Sequence, residues 1–252
     1  LPICSSAITT AVSLKNNYFE VPGFDAGSPT ADIVNNIKQL TYEAIIRVNN
    51  FKTDEFPKKE IATIMGIEQY CLFRIGDAGF PLQQLQFSSP GENKFPNADT
   101  GKLLQPSEWY HVAVVYDTEK KTAVIYVDGR EQSRIEDYGN GEPVNLGKQT
   151  RGKDFMFKIG HSYGDPDYME RQLDGEICEV RVWNVARSQQ EIFDNMYNIE
   201  DPANTPGLQA YWKFNEGEGD IAKDYTGHGN DAKAYVKATW PAGIEVTQKN
   251  KE

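Results

Sequence analysis

The sequence predicts an all-β fold, an antiparallel two-sheet sandwich with one short helix, and three observations carry that prediction. From Trp109 to Gly129, WYHVAVVYDTEKKTAVIYVDG reads as a β-hairpin. His111, Ala113 and Val115 alternate with Val112, Val114 and Tyr116, both sets are largely apolar, and the polar stretch from Asp117 to Thr122 reverses the chain. A strand apolar on both faces belongs inside a layered structure. From Asp174 to Ile192 the period switches in mid-course. Cys178, Val180 and Val182 alternate as a strand, then Ser188-Gln189-Gln190-Glu191 spells a capping box, and Ile192, Phe193 and Met196 form the apolar stripe of a helix near 189–197. Third, 21 Gly and 13 Pro punctuate short apolar runs along the whole chain, and only that one segment reads as helix.

The remaining elements follow in chain order. Residues 12–21 read as a strand broken at Asn16-Asn17, and residues 40–48 as a longer strand beyond a polar loop. Residues 61–67, 70–75 and 82–88 read as a meander with turn signals at Glu68-Gln69 and at 76–79. Residues 89–104 and 136–153 are rich in turn formers and read as surface loops, the places where sandwiches often carry function. Asp128-Gly129 closes the hairpin with a pair that tolerates positive φ. Residues 155–160 read as a strand, 162–172 as an aromatic and acidic loop, and 208–214 as the last strand. No internal repeat is visible. The expected organisation is one sandwich over 12–240, an N-terminal segment or linker over 1–11, and a frayed tail over 241–252.

A formal charge of −11 and a pI near 4.9 oppose a concentrated basic face, so nucleic acid and anionic membranes are not expected partners. Lys58-Lys59 and Lys120-Lys121 read as solvated loop lysines. No run of about 18 apolar residues is present, so the chain is not expected to span a membrane. Its start at Leu1 raises the expectation that a signal, an anchor or an upstream domain has been removed. Cys4, Cys71 and Cys178 form an odd set without metal-ligand spacing, which indicates neither a disulfide framework nor a zinc site. LPIC around Cys4 matches a lipoprotein box poorly, because Ile3 is too large.

The ordered motifs carry a resemblance. They are W-x-H-V-A-x-x-Y-D with Y-V-D-G, D-G-x-I-x-E-V-R-V-W-N-x-A-R-S-x-x-E-I, L-x-A-Y-W-K-F-N-E-G-x-G, and D-Y-T-G-H-G-N-D-A. Over roughly 12–240 the chain resembles a laminin G-like domain of the concanavalin A-like lectin/glucanase superfamily, close to pentraxins. The resemblance implies a two-sheet jelly roll, ligands on a concave sheet face and rim loops, a home outside the cytoplasm, and service as a carbohydrate-binding module or a part of a glycan-capturing surface protein. It places Trp109, Trp183 and Trp212 at framework positions.

Three chemistries are weighed on that frame. Retaining glucanases of this fold carry E-x-D-x-x-E on one strand, and Asp174, Glu176 and Glu179 offer D-x-E-x-x-E instead. Glu179, three residues beyond Glu176, points to the other face unless a bulge intervenes, and a retaining pair needs carboxyl groups about 5–5.5 Å apart. A framework role is therefore expected for these acids. There is no G-x-S-x-G, and His111, His161 and His228 stand in unrelated contexts. Asp224 and Asn230, with Asp231 and carbonyls near Glu216 or Gly227, are candidate calcium ligands, although the same residues would equally brace tight turns through Asx hydrogen bonds. For a sugar, an aromatic face with amides, carboxylates or Arg is required. Tyr70, Phe73, Arg74, Gln84 and Gln86 on the meander and Tyr163, Asp165 and Tyr168 on the loop before Asp174 meet it, and Tyr70, Arg74, Tyr163 and Tyr168 are the expected ligand-binding residues. The expectation is a non-catalytic carbohydrate-binding domain of a secreted or cell-surface protein that takes a poly- or oligosaccharide. A glycoside hydrolase using Asp174, Glu176 and Glu179 and a protein-adhesion module are the alternatives.

Overall fold

The structure, a computed structural model, describes residues 7–25, 31–53, 61–91, 97–151, 153–163 and 169–249. Its strands are β1 (Val12–Ser13), β2 (Phe19–Glu20), β3 (Gln39–Asn50), β4 (Ala62–Ile67), β5 (Cys71–Ile75), β6 (Gln84–Ser88), β7 (Asn97–Leu103), β8 (Trp109–Asp117) and β9 (Thr122–Val127). They continue as β10 (Arg130–Ile135), β11 (Gln149–Arg151), β12 (Lys153–Phe155), β13 (Lys158–Ile159), β14 (Asp174–Trp183), β15 (Leu208–Trp212), β16 (Ile221–Ala222) and β17 (Ala232–Ala234). One α-helix, α1 (Gln189–Asp194), interrupts them. Two antiparallel sheets enclose the core: a seven-stranded one ordered β1-β14-β3-β8-β9-β10 with β15 also on β14, and an eight-stranded one ordered β16-β17-β2-β13-β4-β5-β6-β7. Between them Phe24, Tyr42, Phe73, Phe87, Tyr116, Phe157 and Trp212 are all but fully buried.

The break foreseen at Asn16-Asn17 passes the chain from one sheet to the other. Asn16 takes φ 55°, a left-handed value that Asn tolerates, so β1 pairs with β14 while β2 joins β13 and β17. The hairpin forms as read, and Asp128 (φ 51°) with Gly129 (φ 71°) makes the twisted reversal that suits a two-residue loop. That reversal opens a further strand, β10, whose REQSRI sequence shows no apolar alternation; it is a charged edge strand that discourages further pairing. The stretch 89–104 is likewise not all loop, because β7 pairs with β6 through its backbone despite the weak strand preference of Asn, Asp, Gly and Lys. The stretch expected as a loop over 136–153 ends in strand, because β11 pairs with β12, and its earlier part folds down onto the core: Tyr138 and Leu146 are buried, and the Tyr138 hydroxyl donates to the Phe87 carbonyl at 2.8 Å. The capping box of α1 is present in both directions, Ser188 Oγ accepting from Glu191 N at 3.2 Å and Glu191 Oε2 from Ser188 N at 2.8 Å. Of the tail expected beyond Pro241, the described residues 242–249 lie against the sandwich. Ile244 and Val246 are buried and Val246 N donates to Ile8 O at 2.9 Å, because these apolar side chains cover surface that would otherwise meet water.

On the outer face of the seven-stranded sheet, Glu43 in β3 is completely buried. Trp183 Nε1 (2.6 Å) and Arg187 Nη1 (3.1 Å) donate to its Oε2, while His111 Nε2 lies 3.3 Å and Arg181 Nη1 3.7 Å from its Oε1. Arg187 also stacks 3.9 Å from the centre of the Trp183 ring. Burial alone would raise the Glu43 pKa, but the adjacent His111 ring and the charges of Arg181 and Arg187 prevail and hold it down to about 2. Cys71 and Cys178 are buried free thiols, and burial pushes Cys71 up to about 12.

Because folding depresses the Glu43 pKa, its contribution to stability is complete above the unfolded value of 4.5 and disappears as the pH falls through about 2. Thermal unfolding followed by circular dichroism should show Tm dropping across that interval, and Glu43→Gln, which breaks a buried ion pair, should lower stability by about 3–5 kcal/mol and flatten the drop.

Candidate functional site

The eight-stranded sheet carries a polar row on the face turned away from the core. Phe73 and Ile75 of β5 belong to the core, so alternation turns Arg74 outward. Register places Thr63 of β4 beside Arg74, Arg74 beside Gln86 of β6, and Gln86 beside Asp99 of β7. A register shift between Thr63 and Met65 brings Thr63 into that row. Arg74 Nη2 donates to Asp77 Oδ2 (2.6 Å), Gln86 Oε1 (3.3 Å) and Asn97 Oδ1 (2.9 Å). Burial lowers the Arg74 pKa, with the Asp77 and Glu68 charges opposing.

Ser162 and Arg171, from the described parts of the connection between β13 and β14, reach this face. Thr63 Oγ1 donates to Ser162 Oγ (3.0 Å), Ser162 Oγ donates to Glu68 Oε2 (2.8 Å), and Arg171 Nε lies 3.7 Å from the same carboxylate. The Arg171 guanidinium sits 5.7 Å from the centre of the Tyr163 ring. Three N–H groups, Arg74 Nε, Gln86 Nε2 and Arg171 Nη1, are buried there without an acceptor among the described residues. Buried donors are nearly always paired, so a surplus on one face marks a place that can receive acceptor atoms from elsewhere.

Of the four residues chosen from sequence, the structure gathers Arg74 and Tyr163 around Arg171. Tyr70 is not with them. It falls in the β4–β5 turn, where its hydroxyl accepts from Asn145 N at 3.2 Å and its ring flanks a small hollow with Pro90, Tyr116 and Val144. Tyr168 lies outside the described residues, as does Asp165. Thr63, Glu68, Asn97, Ser162 and Arg171 complete the cluster and were not foreseen; no local signal marks them, because strand register brings them together. His161 is buried, and its ring lies 4.8 Å from that of Tyr18.

The three acids of β14 are held as framework. Glu176 receives Arg47 Nε (3.1 Å) and Asn49 Nδ2 (3.0 Å), and Asp174 receives Asn50 Nδ2 (2.9 Å). The bulge that would reorient Glu179 is present: the pairing with β3 shifts between Cys178 and Arg181, and Glu179 itself takes φ 52°. Its Oε2 accepts from Arg181 Nη2 (2.6 Å) and from the Tyr211 hydroxyl. Each of the two glutamates is thus paired with its own guanidinium.

Asp224 braces the turn that follows β16. Its Oδ1 accepts from Tyr211 N (3.2 Å), Thr226 N (3.0 Å) and Thr226 Oγ1 (2.7 Å), and its Oδ2 from Asn230 N (3.1 Å). The Asn230 carbonyl accepts from Trp212 Nε1 at 2.7 Å. These bonds brace the loop as an Asx turn does.

Comparison with known proteins places this geometry. A profile of the concanavalin A-like lectin/glucanases superfamily matches residues 22–193. A comparison with curated proteins gives no match. Among solved structures, a candidate carbohydrate-binding protein of Bacteroides ovatus ATCC 8483 is 29% identical with a TM-score of 0.75, the alignment covering 96% of this chain and 62% of that one. This chain therefore spans less than two thirds of that protein's length. The Ruminococcus gnavus IT-sialidase CBM40 bound to α2,3-sialyllactose is 13% identical (TM-score 0.48, covering 75% and 95%), and the heptameric SAP-like pentraxin of Limulus polyphemus is 14% identical (TM-score 0.46, covering 71% and 81%). With that profile matched over most of its length and two antiparallel sheets closed on one core, the chain belongs to the concanavalin A-like lectin/glucanases superfamily, as a laminin G-like domain.

Proposed function

We propose that this is a non-catalytic carbohydrate-binding domain that meets its glycan on the outer face of the eight-stranded sheet, around Arg74, Gln86, Arg171 and Tyr163. The observation that carries the reading is the set of three buried N–H donors on that face, for which sugar hydroxyl and ring oxygens are matching acceptors. The Tyr163 ring beside Arg171 supplies a flat apolar surface for a sugar face. The likeness to the Bacteroides ovatus protein supports the same class of ligand. A glycan partner also favours an extracytoplasmic setting, and among the described residues no helix is long and apolar enough to cross a membrane.

Affinity electrophoresis and calorimetry against arabinan, galactan, xyloglucan, pectin and mucin test the reading. At least one of these should retard the protein, and Tyr163→Ala should weaken that binding about tenfold without moving Tm. If none retards it, the reading fails. Release of sugar by the wild type, abolished in Glu176→Gln, would replace it with the hydrolase.

Calcium has no place in this reading. Asp224→Ala should leave its backbone donors unpaired and lower stability by about 1–3 kcal/mol in urea unfolding, with or without calcium. A calcium-dependent rise in the wild-type midpoint that the variant lacks would bring the ion back.

A further inference from the structure

A cleft of about 460 Å³ opens on the other side of the sandwich, against the outer face of the seven-stranded sheet, and among its lining residues are Thr9, Thr10, Glu179, Asn198, Lys213 and Asn215. The volume is within the range of small-ligand sites. It is built from five separate stretches of chain: the segment before β1, the β14 bulge, the turn after α1, the end of β15 and the C-terminal segment at Gln248.

Two features set this cleft apart from an ordinary surface hollow. The first is Glu179, a non-glycine residue at φ 52° in the middle of a strand, where a carboxylate is kept despite the backbone strain. Arg181 and Tyr211 hold it by one oxygen, Oε2, and the Arg181 guanidinium lies 4.9 Å from the centre of the Tyr211 ring. The second is the placement of amides. Asn198 Oδ1 is held by Lys213 Nζ (3.4 Å) and Asn215 Oδ1 by the Tyr225 hydroxyl (3.0 Å), so both carboxamides are anchored by their carbonyl oxygens and keep their NH2 groups as donors. Lys213 is positioned in turn 4.9 Å from the centre of the Tyr225 ring.

The charges select the ligand class. An anion in the cleft meets Glu179 and a cation meets Lys213, whereas a neutral polyol finds donors and acceptors of both kinds. We propose that the cleft is a second carbohydrate site that takes one neutral sugar residue. It is separate from the face around Arg74. A domain with both sites grips a polymer at two points, which raises avidity without any new contact.

The test is a 15N–1H correlation NMR titration of the full chain with D-glucose, D-galactose, D-mannose, L-arabinose and D-xylose, each at millimolar concentration. At least one sugar should shift the amides of Thr9, Thr10, Asn198 and Asn215. The double variant Asn198→Ala/Asn215→Ala, both exposed positions, should raise the Kd read from those shifts about tenfold or more while polysaccharide retardation through the Tyr163 face persists. The absence of cleft shifts with all five sugars, or shifts confined to Arg74, Gln86 and Tyr163, overturns the inference. Cleft shifts that persist in Tyr163→Ala, or in a protein that no polysaccharide retards, uphold it independently of the first site.

Discussion

Glu43 carries a carboxylate into the middle of a sheet covered on both faces, and a charge in that position survives only where donors surround it. Its partners come from three places in the chain: His111 on β8, Arg181 and Trp183 on β14, and Arg187 on the approach to α1. Each is a letter of the motifs that mark the family, R-V-W-N-x-A-R and W-x-H-V-A. Read as an alignment pattern, those letters are unconnected; in three dimensions they are the coordination of one anion. The group also fixes where α1 lies, because Arg187 stands immediately before the capping residue Ser188. Arg181 then links Glu43 to Glu179, and so to the bulge that divides β14.

That bulge settles how two strands share one edge. β1 pairs with β14 at Glu176 and Ile177, β15 pairs from Val180 to Trp183, and Glu179 lies between the two. On the seven-stranded sheet the glutamates of β14 and β3 are matched by guanidinium groups. On the eight-stranded sheet the Arg74, Gln86 and Arg171 side chains each keep an N–H group without an acceptor among the described residues.

The parts of the fold that were legible in sequence are those whose signal is local. β3, β8, β9 and β14 declare themselves by long apolar alternation, and α1 by its capping box. β7 and β10 were hidden because cross-strand backbone pairing makes them strands, and their Asn, Asp, Gln, Arg and Glu side chains carry no strand signal. Of the candidate site, Arg74 and Tyr163 could be found as a cation on a meander and an aromatic on the loop before Asp174. Tyr70 differed only in falling just ahead of its strand, which put it in the turn. The row Thr63, Arg74, Gln86 and Asp99 depends on the register of four strands and on two irregularities in it, and neither the register nor the irregularities are written in any short stretch of chain. The direction of Glu179 hung on a bulge in the same way.

The antiparallel bridge between Ile8 and Val246 gives the molecule a mechanical character. Tension drawn across that pair acts at right angles to the strands, so it peels hydrogen bonds one pair at a time and does not shear many together. The contacts of Lys249 with Tyr197, Trp109 and Asp128 take the load ahead of the bridge, and the short β1 ladder at Val12 and Ser13 follows it, while β15 still holds the other half of β14. Ala7 to Thr10, which form one wall of the cleft beside Glu179, leave with the peeled segment. A domain under load would therefore lose that wall while its two sheets remained intact.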